Sequence, residues 1–129
     1  MKITKFEDIK AWQAARELMN FVYDSTSTTT FNADPRLRWQ LRSAAGSVMA
    51  NIAEGFDSGS DPEFRRFLRI AKRSATETQS HLYICQDRKY LSSQQCQLLR
   101  NKAQDVKSMI LGFIRYLKAP RSPHDRVQT

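Results

Sequence analysis

The chain has 129 residues, a net charge of +8 and two cysteines. This length is typical of one domain that buries a core without needing disulfides or metals. No run of about 18 apolar residues is present, which excludes a membrane-spanning helix. The first residues, MKITKFEDIKAW, also lack the apolar block of a secretory signal. We therefore expect a cytoplasmic protein that does not associate with membranes.

The positive charge is distributed unevenly along the chain. Residues 1–60 carry as many acidic as basic side chains, so the whole excess lies in residues 61–129. An asymmetry of this kind favours a polyanionic partner, and nucleic acid is the commonest one.

Four amphipathic stretches account for most of the sequence, and no segment shows the alternation of a strand. We predict helices over residues 6–26, 34–55, 60–87 and 92–119. Asp34 before Pro35 is a capping signal for the second helix. Ser60 and Ser92 begin the third and fourth with capping-box spacing.

The short connections favour antiparallel neighbours. The sequence therefore predicts an all-α, up-down-up-down four-helix bundle in residues 1–118. Residues 119–129 are polar and predict a disordered basic tail.

The second helix lacks the charged outer face of an ordinary bundle helix. Opposite its apolar stripe stand Trp39, Ser43, Gly46, Ala50 and Ala53. Small residues let a neighbouring backbone approach closely, and Trp39 is a typical anchor. We predict a subunit interface here; the alternative is that loops of the same chain cover this face.

The third helix carries a cationic stripe, which consists of Arg65, Arg66, Arg69, Lys72 and Arg73. Like charges on one face do not stabilise a helix, so phosphate binding is the functional interpretation. We place Arg100, Lys107 and Lys118 beside the stripe, on the outer face of the fourth helix. The alternative is a solvated face, or one paired with Glu54, Asp57 or Glu77. The stripe contains no exposed aromatic residue, which predicts binding without sequence preference.

No residue pattern indicates catalysis, a cofactor or a metal. Glu77 and His81 are four residues apart, whereas a di-iron bundle needs paired Glu-x-x-His motifs. Cys85 and Cys96 have no metal-ligand spacing and fall on apolar helix faces. We interpret them as reduced core thiols, with a disulfide between them as the alternative.

The segment QLRSAAGSVMANIAEG, residues 40–55, resembles the hallmark of the proteins encoded by intervening sequences of bacterial 23S rRNA genes. Residues 6–12 and 63–71 also match this family, often labelled S23 ribosomal proteins. The resemblance implies a bundle that assembles as a homopentamer, similar to retroelement accessory proteins that hold nucleic acid, with no known catalytic residues. Within the motif we predict structural roles for Asn51, Glu54 and Gly55. Gly55 is expected to cap its helix in the left-handed conformation, and Glu54 to pair with an arginine of the third helix or to contact another subunit.

Overall fold

The computed structural model describes residues 3–119, which fold into four α-helices. The helices are α1 (Lys10–Ser25), α2 (Pro35–Phe56), α3 (Asp61–Asp87) and α4 (Ser93–Lys118). Each helix packs against the next one along the chain, and α4 closes the ring against α1. This arrangement confirms the predicted all-α four-helix bundle, and residues 3–119 contain no strand. The predicted tail, apart from Ala119, lies outside the described residues.

Three helices begin at the residues that the sequence predicts. The Asp34 side chain accepts a hydrogen bond from a backbone N–H three residues on, at 3.1 Å, and Pro35 is the first residue of α2. Ser60 caps α3 in the same way, while Ser92 and Gln95 form a reciprocal capping box at α4. These bonds satisfy N–H groups that a helix leaves unpaired, and they depend only on residues close in sequence.

The first helix begins later than predicted. Phe6–Asp8 forms a separate 3-10 turn, and α1 starts at Lys10. Ile9 between them has an extended backbone, with φ −76° and ψ 119°, and both Ile9 and Ile3 are buried. Burying an isoleucine stabilises a fold by about 1.5–3 kcal/mol, whereas one hydrogen bond contributes about 0.5–1.5 kcal/mol. Core burial therefore outweighs an unbroken helix at this point.

Gly55 does not end α2, so its predicted role as a left-handed cap is wrong. The helix continues to Phe56, and the glycine with positive φ is Gly59, at 93°, in the connection to α3. Gly55 is buried where α2 meets α3. A Cβ atom at Gly55 would lie 2.7 Å from Cβ of Phe67 and 2.8 Å from Cδ1 of Phe64. The position thus needs glycine for close helix approach.

The core holds both cysteines as buried free thiols. Burial and, as a smaller cause, the neighbouring Cys96 raise the pKa of Cys85 to about 12. Burial also raises the pKa of Cys96. The two residues therefore serve as small core hydrophobes, which is the first of the two sequence interpretations.

Two arginines of α2 hold the connection between α1 and α2. Arg38 donates hydrogen bonds to the carbonyl oxygens of Thr26, at 2.9 Å, and Thr28, at 3.1 Å. Arg42 donates to the Thr26 hydroxyl at 2.9 Å, and its guanidinium carbon lies 4.4 Å from the ring centroid of Tyr23. These donors are engaged within the chain, so Arg38 and Arg42 contribute little to a free cationic surface.

Candidate nucleic-acid interface and assembly face

The contacts across the α3–α4 seam determine which sides of the two helices face each other. Gln79 donates from Nε2 to the carbonyl oxygen of Arg100 at 3.3 Å, and Lys107 donates from Nζ to Oε1 of Gln79 at 3.2 Å. At the other end of the seam, Nη1 of Arg65 donates to the carbonyl oxygen of Leu117 at 3.2 Å. The antiparallel pairing therefore places the first turns of α3 beside the last turns of α4.

Cations from both helices gather along this seam. Residues at helical spacing from these contacts share the same side of the bundle. We define the basic face by six of them: Arg65, Arg69, Lys72, Lys107, Arg115 and Lys118. Between Arg65 and Gln86, this side of α3 carries no carboxylate, and Asp61 and Asp87 lie at its two ends. The basic face is therefore a cationic surface bounded by acids rather than interrupted by them.

The five residues of the predicted stripe differ in their surroundings. Arg65 and Lys72 are half-buried at the seam, whereas Arg69 and Arg73 are exposed. Within residues 3–119, the side chains of Arg69, Lys72 and Arg73 have no ion pair or hydrogen bond. The alternative pairing with Glu54, Asp57 or Glu77 is thus not formed in this part of the chain.

Arg66 is not part of the basic face, and its guanidinium contacts residues of its own helix. Its Nη2 lies 2.6 Å from Oε1 of Glu63, and its guanidinium carbon lies 4.7 Å from the ring centroid of Phe67. The hydrogen bond from Arg66 lowers the pKa of Glu63. Since both side chains are about half exposed, this pair contributes little to stability. Arg66 is therefore a weaker candidate for phosphate binding than Arg69.

Arg100 does not lie on the outer face where the sequence places it. Arg100 is only 9% exposed. Its Nη1 donates to Gln86 at 2.9 Å, its Nη2 donates to Gln97 at 3.0 Å, and its guanidinium carbon lies 4.2 Å from the ring centroid of Tyr83. The side chain lies along the helix boundary, where these three partners replace water. Lys107 is half-buried at the same seam.

Sequence reasoning missed two residues at this surface. Arg115 lies on the same side of α4 as Lys107, two turns further along the helix. The sequence spacing was sufficient to predict this position. Tyr83 lies one turn beyond Gln79 on α3 and is 55% exposed. It stands outside the cationic stripe in sequence, which is why the stripe alone predicts no aromatic residue.

The outer face of α2 is open over most of its length. Trp39 is 69% exposed, and Ser43 and Ala50 are exposed as well. Gly46 is half-buried, and a Cβ atom there would meet nothing within 4 Å. Ala53 is half-buried and lines a groove beside the N-terminal 3-10 turn, whereas Trp39 and Ser43 line a second groove beside Arg42. Within residues 3–119, loops of the same chain therefore do not cover Trp39, Ser43 and Ala50, against the alternative interpretation.

The motif residues Asn51 and Glu54 differ in their contacts. Asn51 donates from Nδ2 to the carbonyl and hydroxyl oxygens of Ser47, at 2.8 and 2.9 Å. The Ser47 hydroxyl lies 2.9 Å from that of Ser74, so a short polar ladder joins α2 to α3. Glu54 is exposed and forms no ion pair within residues 3–119, which makes its predicted pairing with an α3 arginine wrong within this chain. Its contact with another subunit stays a prediction.

Residues 3–119 contain neither a metal-ligating cluster nor a membrane-spanning helix. In that range, no group of three or more His, Cys, Asp and Glu side chains is placed to hold a metal ion. Glu77 and His81 form a surface pair at 3.2 Å, without a third ligand. None of the helices in that range has both the length and the apolar character needed to cross a bilayer.

Both the sequence and the structure of the chain are similar to those of known proteins. The model of the 23S rRNA-intervening sequence proteins matches residues 7–112. In structure, the chain is similar to a protein of unknown function from the S23 ribosomal protein family of Bacteroides thetaiotaomicron, determined at 1.70 Å resolution. The TM-score is 0.73 at 18% identity, over 81% of this chain and 98% of the other. No curated protein matches the sequence.

Proposed function

The chain belongs to the family of 23S rRNA-intervening sequence proteins, and we propose that it is a non-enzymatic, homo-oligomeric bundle that binds nucleic acid through its basic face. The solved family member is a protein of unknown function, so the proposal rests on this chain's own surfaces. The observation that carries it is the basic face itself, where six cations from two helices stand without an interleaved carboxylate.

Phosphate binding accounts for the cations that α3 contributes to this face, whereas helix stability does not. Neighbouring cations three or four residues apart on a helix destabilise it by a few tenths of a kcal/mol per pair. Arg65 and Arg69 also lie in the N-terminal half of α3, where the helix dipole disfavours positive charge. A polyanion would relieve both effects, because each phosphate neutralises a cation and releases bound counterions.

The salt dependence of binding tests this proposal. We expect the full chain to bind RNA at about 50 mM salt, with log affinity falling linearly as log salt concentration rises. The double variant Arg69→Ala/Lys72→Ala removes two unpaired cations of the basic face, so the slope should become shallower by about 1.5. Fluorescence anisotropy of a labelled RNA at several salt concentrations measures both quantities.

A charge-matched control separates the basic face from overall charge. Lys10→Ala/Arg16→Ala removes two cations from α1, on another side of the bundle. This variant should keep the parent slope. Equal slopes for the two double variants would contradict a role of the basic face. No binding at about 50 mM salt would overturn nucleic-acid binding and favour a scaffold whose basic face meets an acidic protein.

Assembly through the outer face of α2 is the second part of the proposal. The exposed Trp39 and the small residues Ser43, Gly46 and Ala50 support packing against another subunit. The family resemblance favours a pentamer. A ring of subunits would repeat the basic face around its surface and multiply weak phosphate contacts through avidity. Sedimentation at micromolar concentration tests this part, because a clean monomer would overturn it.

A further inference from the structure

Tyr83 presents an exposed aromatic ring at the end of the basic face. The residue is 55% exposed, although it belongs to a helix that buries an apolar stripe. The guanidinium carbon of Arg100 lies 4.2 Å from its ring centroid, as expected when a guanidinium stacks on a ring. A guanidinium covers only one of the two ring faces, so the other face is available to a planar ligand.

The stacking partner of Tyr83 is itself held in place. Arg100 is 9% exposed, and Gln86 and Gln97 accept hydrogen bonds from its two terminal nitrogens. The ring therefore has a fixed support. A ligand that stacks on it causes little further loss of side-chain conformational entropy. This pre-organisation increases the affinity that one stacking contact provides.

The position of Tyr83 relates it to the cations. The backbone distance along α3 from Arg65 to Tyr83 is 18 residues, or about 27 Å at about 1.5 Å per residue. A stacked strand rises about 3.4 Å per nucleotide, so this length corresponds to about eight nucleotides. A strand whose phosphates follow the basic face would bring a base within reach of Tyr83.

We propose that Tyr83 is a stacking site for an unpaired base and that the basic face takes single-stranded nucleic acid. This inference rests on the proposed function and names its substrate class. In a duplex the faces of the bases are stacked on one another, so a protein ring has none to meet. In a single strand every base offers an aromatic face, and such stacking tolerates any sequence.

The molecule contains a matched control for this inference. Tyr23 is 43% exposed, and the guanidinium carbon of Arg42 lies 4.4 Å from its ring centroid. The two tyrosines thus share an arginine-backed ring and similar exposure. Tyr23 belongs to α1 and contacts α2, on the side of the bundle away from the basic face. Stacking that depends on the basic face should involve Tyr83 and not Tyr23.

The experiment compares single-stranded and duplex oligonucleotides of about eight base steps, the length given by the rise of a stacked strand. We expect the full chain to bind the single strand more tightly. Tyr83→Ala should weaken single-strand binding by about 5- to 150-fold, the equivalent of about 1–3 kcal/mol for one stacked base. Tyr83→Phe keeps the ring and should retain the parent affinity, as should Tyr23→Ala. A 2-aminopurine base in the strand should lose fluorescence on binding to the parent and not to Tyr83→Ala.

The outcomes separate this inference from the proposed function. Salt-dependent binding that is equal for duplex and single strand, or unaffected by Tyr83→Ala, would overturn the stacking site and leave the basic face standing. Absence of binding by the parent chain would overturn both. Loss of binding by Tyr83→Phe as well as Tyr83→Ala would assign the effect to the hydroxyl group and also overturn the stacking site. Since Tyr83→Ala removes no charge, its salt slope should equal that of the parent, unlike that of Arg69→Ala/Lys72→Ala.

Discussion

The outer face of α2 and the basic face lie on the same small bundle, yet they differ in almost every property. The outer face of α2 combines the 69% exposed Trp39 with small side chains and no charge between Ser43 and Ala53. The basic face carries long cationic side chains, and those of Arg69 and Lys72 form no ion pair or hydrogen bond within residues 3–119. Small, uncharged residues suit close packing against another protein surface, whereas unpaired cations suit a hydrated polyanion. The difference indicates two binding surfaces with separate partners.

The strongest test of this comparison introduces charge into the outer face of α2. The double variant Gly46→Glu/Ala50→Glu should abolish assembly, because a buried unpaired charge costs about 3–5 kcal/mol. Sedimentation should then show a monomer at concentrations where the parent chain is assembled.

A control with the same charge change isolates the effect of position. Asn20→Glu/Gln94→Glu places two carboxylates at exposed positions on other helices. This control should assemble like the parent. If it dissociated to the same extent, net charge rather than the outer face of α2 would govern assembly, and the two surfaces would not be separate.

A second test asks whether substitutions on either surface leave the core intact. Because the pKa of Cys85 is about 12, its thiolate is rare at pH 8, whereas an unfolded thiol ionises near pH 8.5. Native Cys85 should therefore react with a disulfide reagent about 10³-fold more slowly than the unfolded chain. The raised pKa also means that its stabilising contribution is present below about pH 8.5 and is lost as pH rises toward 12.

Thiol kinetics in each variant supply the measurement. Surface variants that act only on their own face should keep the slow reaction of the parent. Fast labelling of the native parent at pH 8 would contradict the buried environment of both cysteines.

A third, smaller effect distinguishes the two sides of α2 itself. Gly55→Ala should lower the free energy of unfolding by about 1–3 kcal/mol, because its Cβ atom would overlap Phe64 and Phe67. Gly46→Ala should raise it by about 0.5–1 kcal/mol, because the space is open and alanine favours a helix. Denaturant unfolding at a protein concentration low enough to compare single subunits measures both. Equal destabilisation by the two substitutions would mean that the outer face of α2 is packed within the subunit.

The features that the sequence predicted well depend on residues close together in the chain. The capping positions of Asp34, Ser60 and Ser92 follow from local hydrogen bonds, and the helices begin there. The apolar periodicity of each stretch identified the fold, and the uneven charge distribution identified the helix that carries the cationic stripe.

The features that it predicted wrongly depend on another helix. The sequence around Gly55 predicts a helix end, but the residue is a glycine because Phe64 and Phe67 of α3 pack against it. Arg100 stands at the boundary of a helical wheel, where its direction depends on Tyr83, Gln86 and Gln97. Within residues 3–119, Glu54 lacks the arginine partner that its motif suggested. Helical spacing predicts on which side of its helix a residue lies. It does not predict which residues of the neighbouring helix pack against that side.

The order of packing around the bundle has a consequence for how subunits form. Each helix meets its sequence neighbour, and only the α1–α4 contact joins distant parts of the chain. Helical proteins with such low contact order fold in about microseconds to milliseconds. A subunit should therefore complete its fold long before it encounters another copy at micromolar concentration. Any slow step that depends on concentration would then report the association of finished bundles, and folding and assembly could be measured apart.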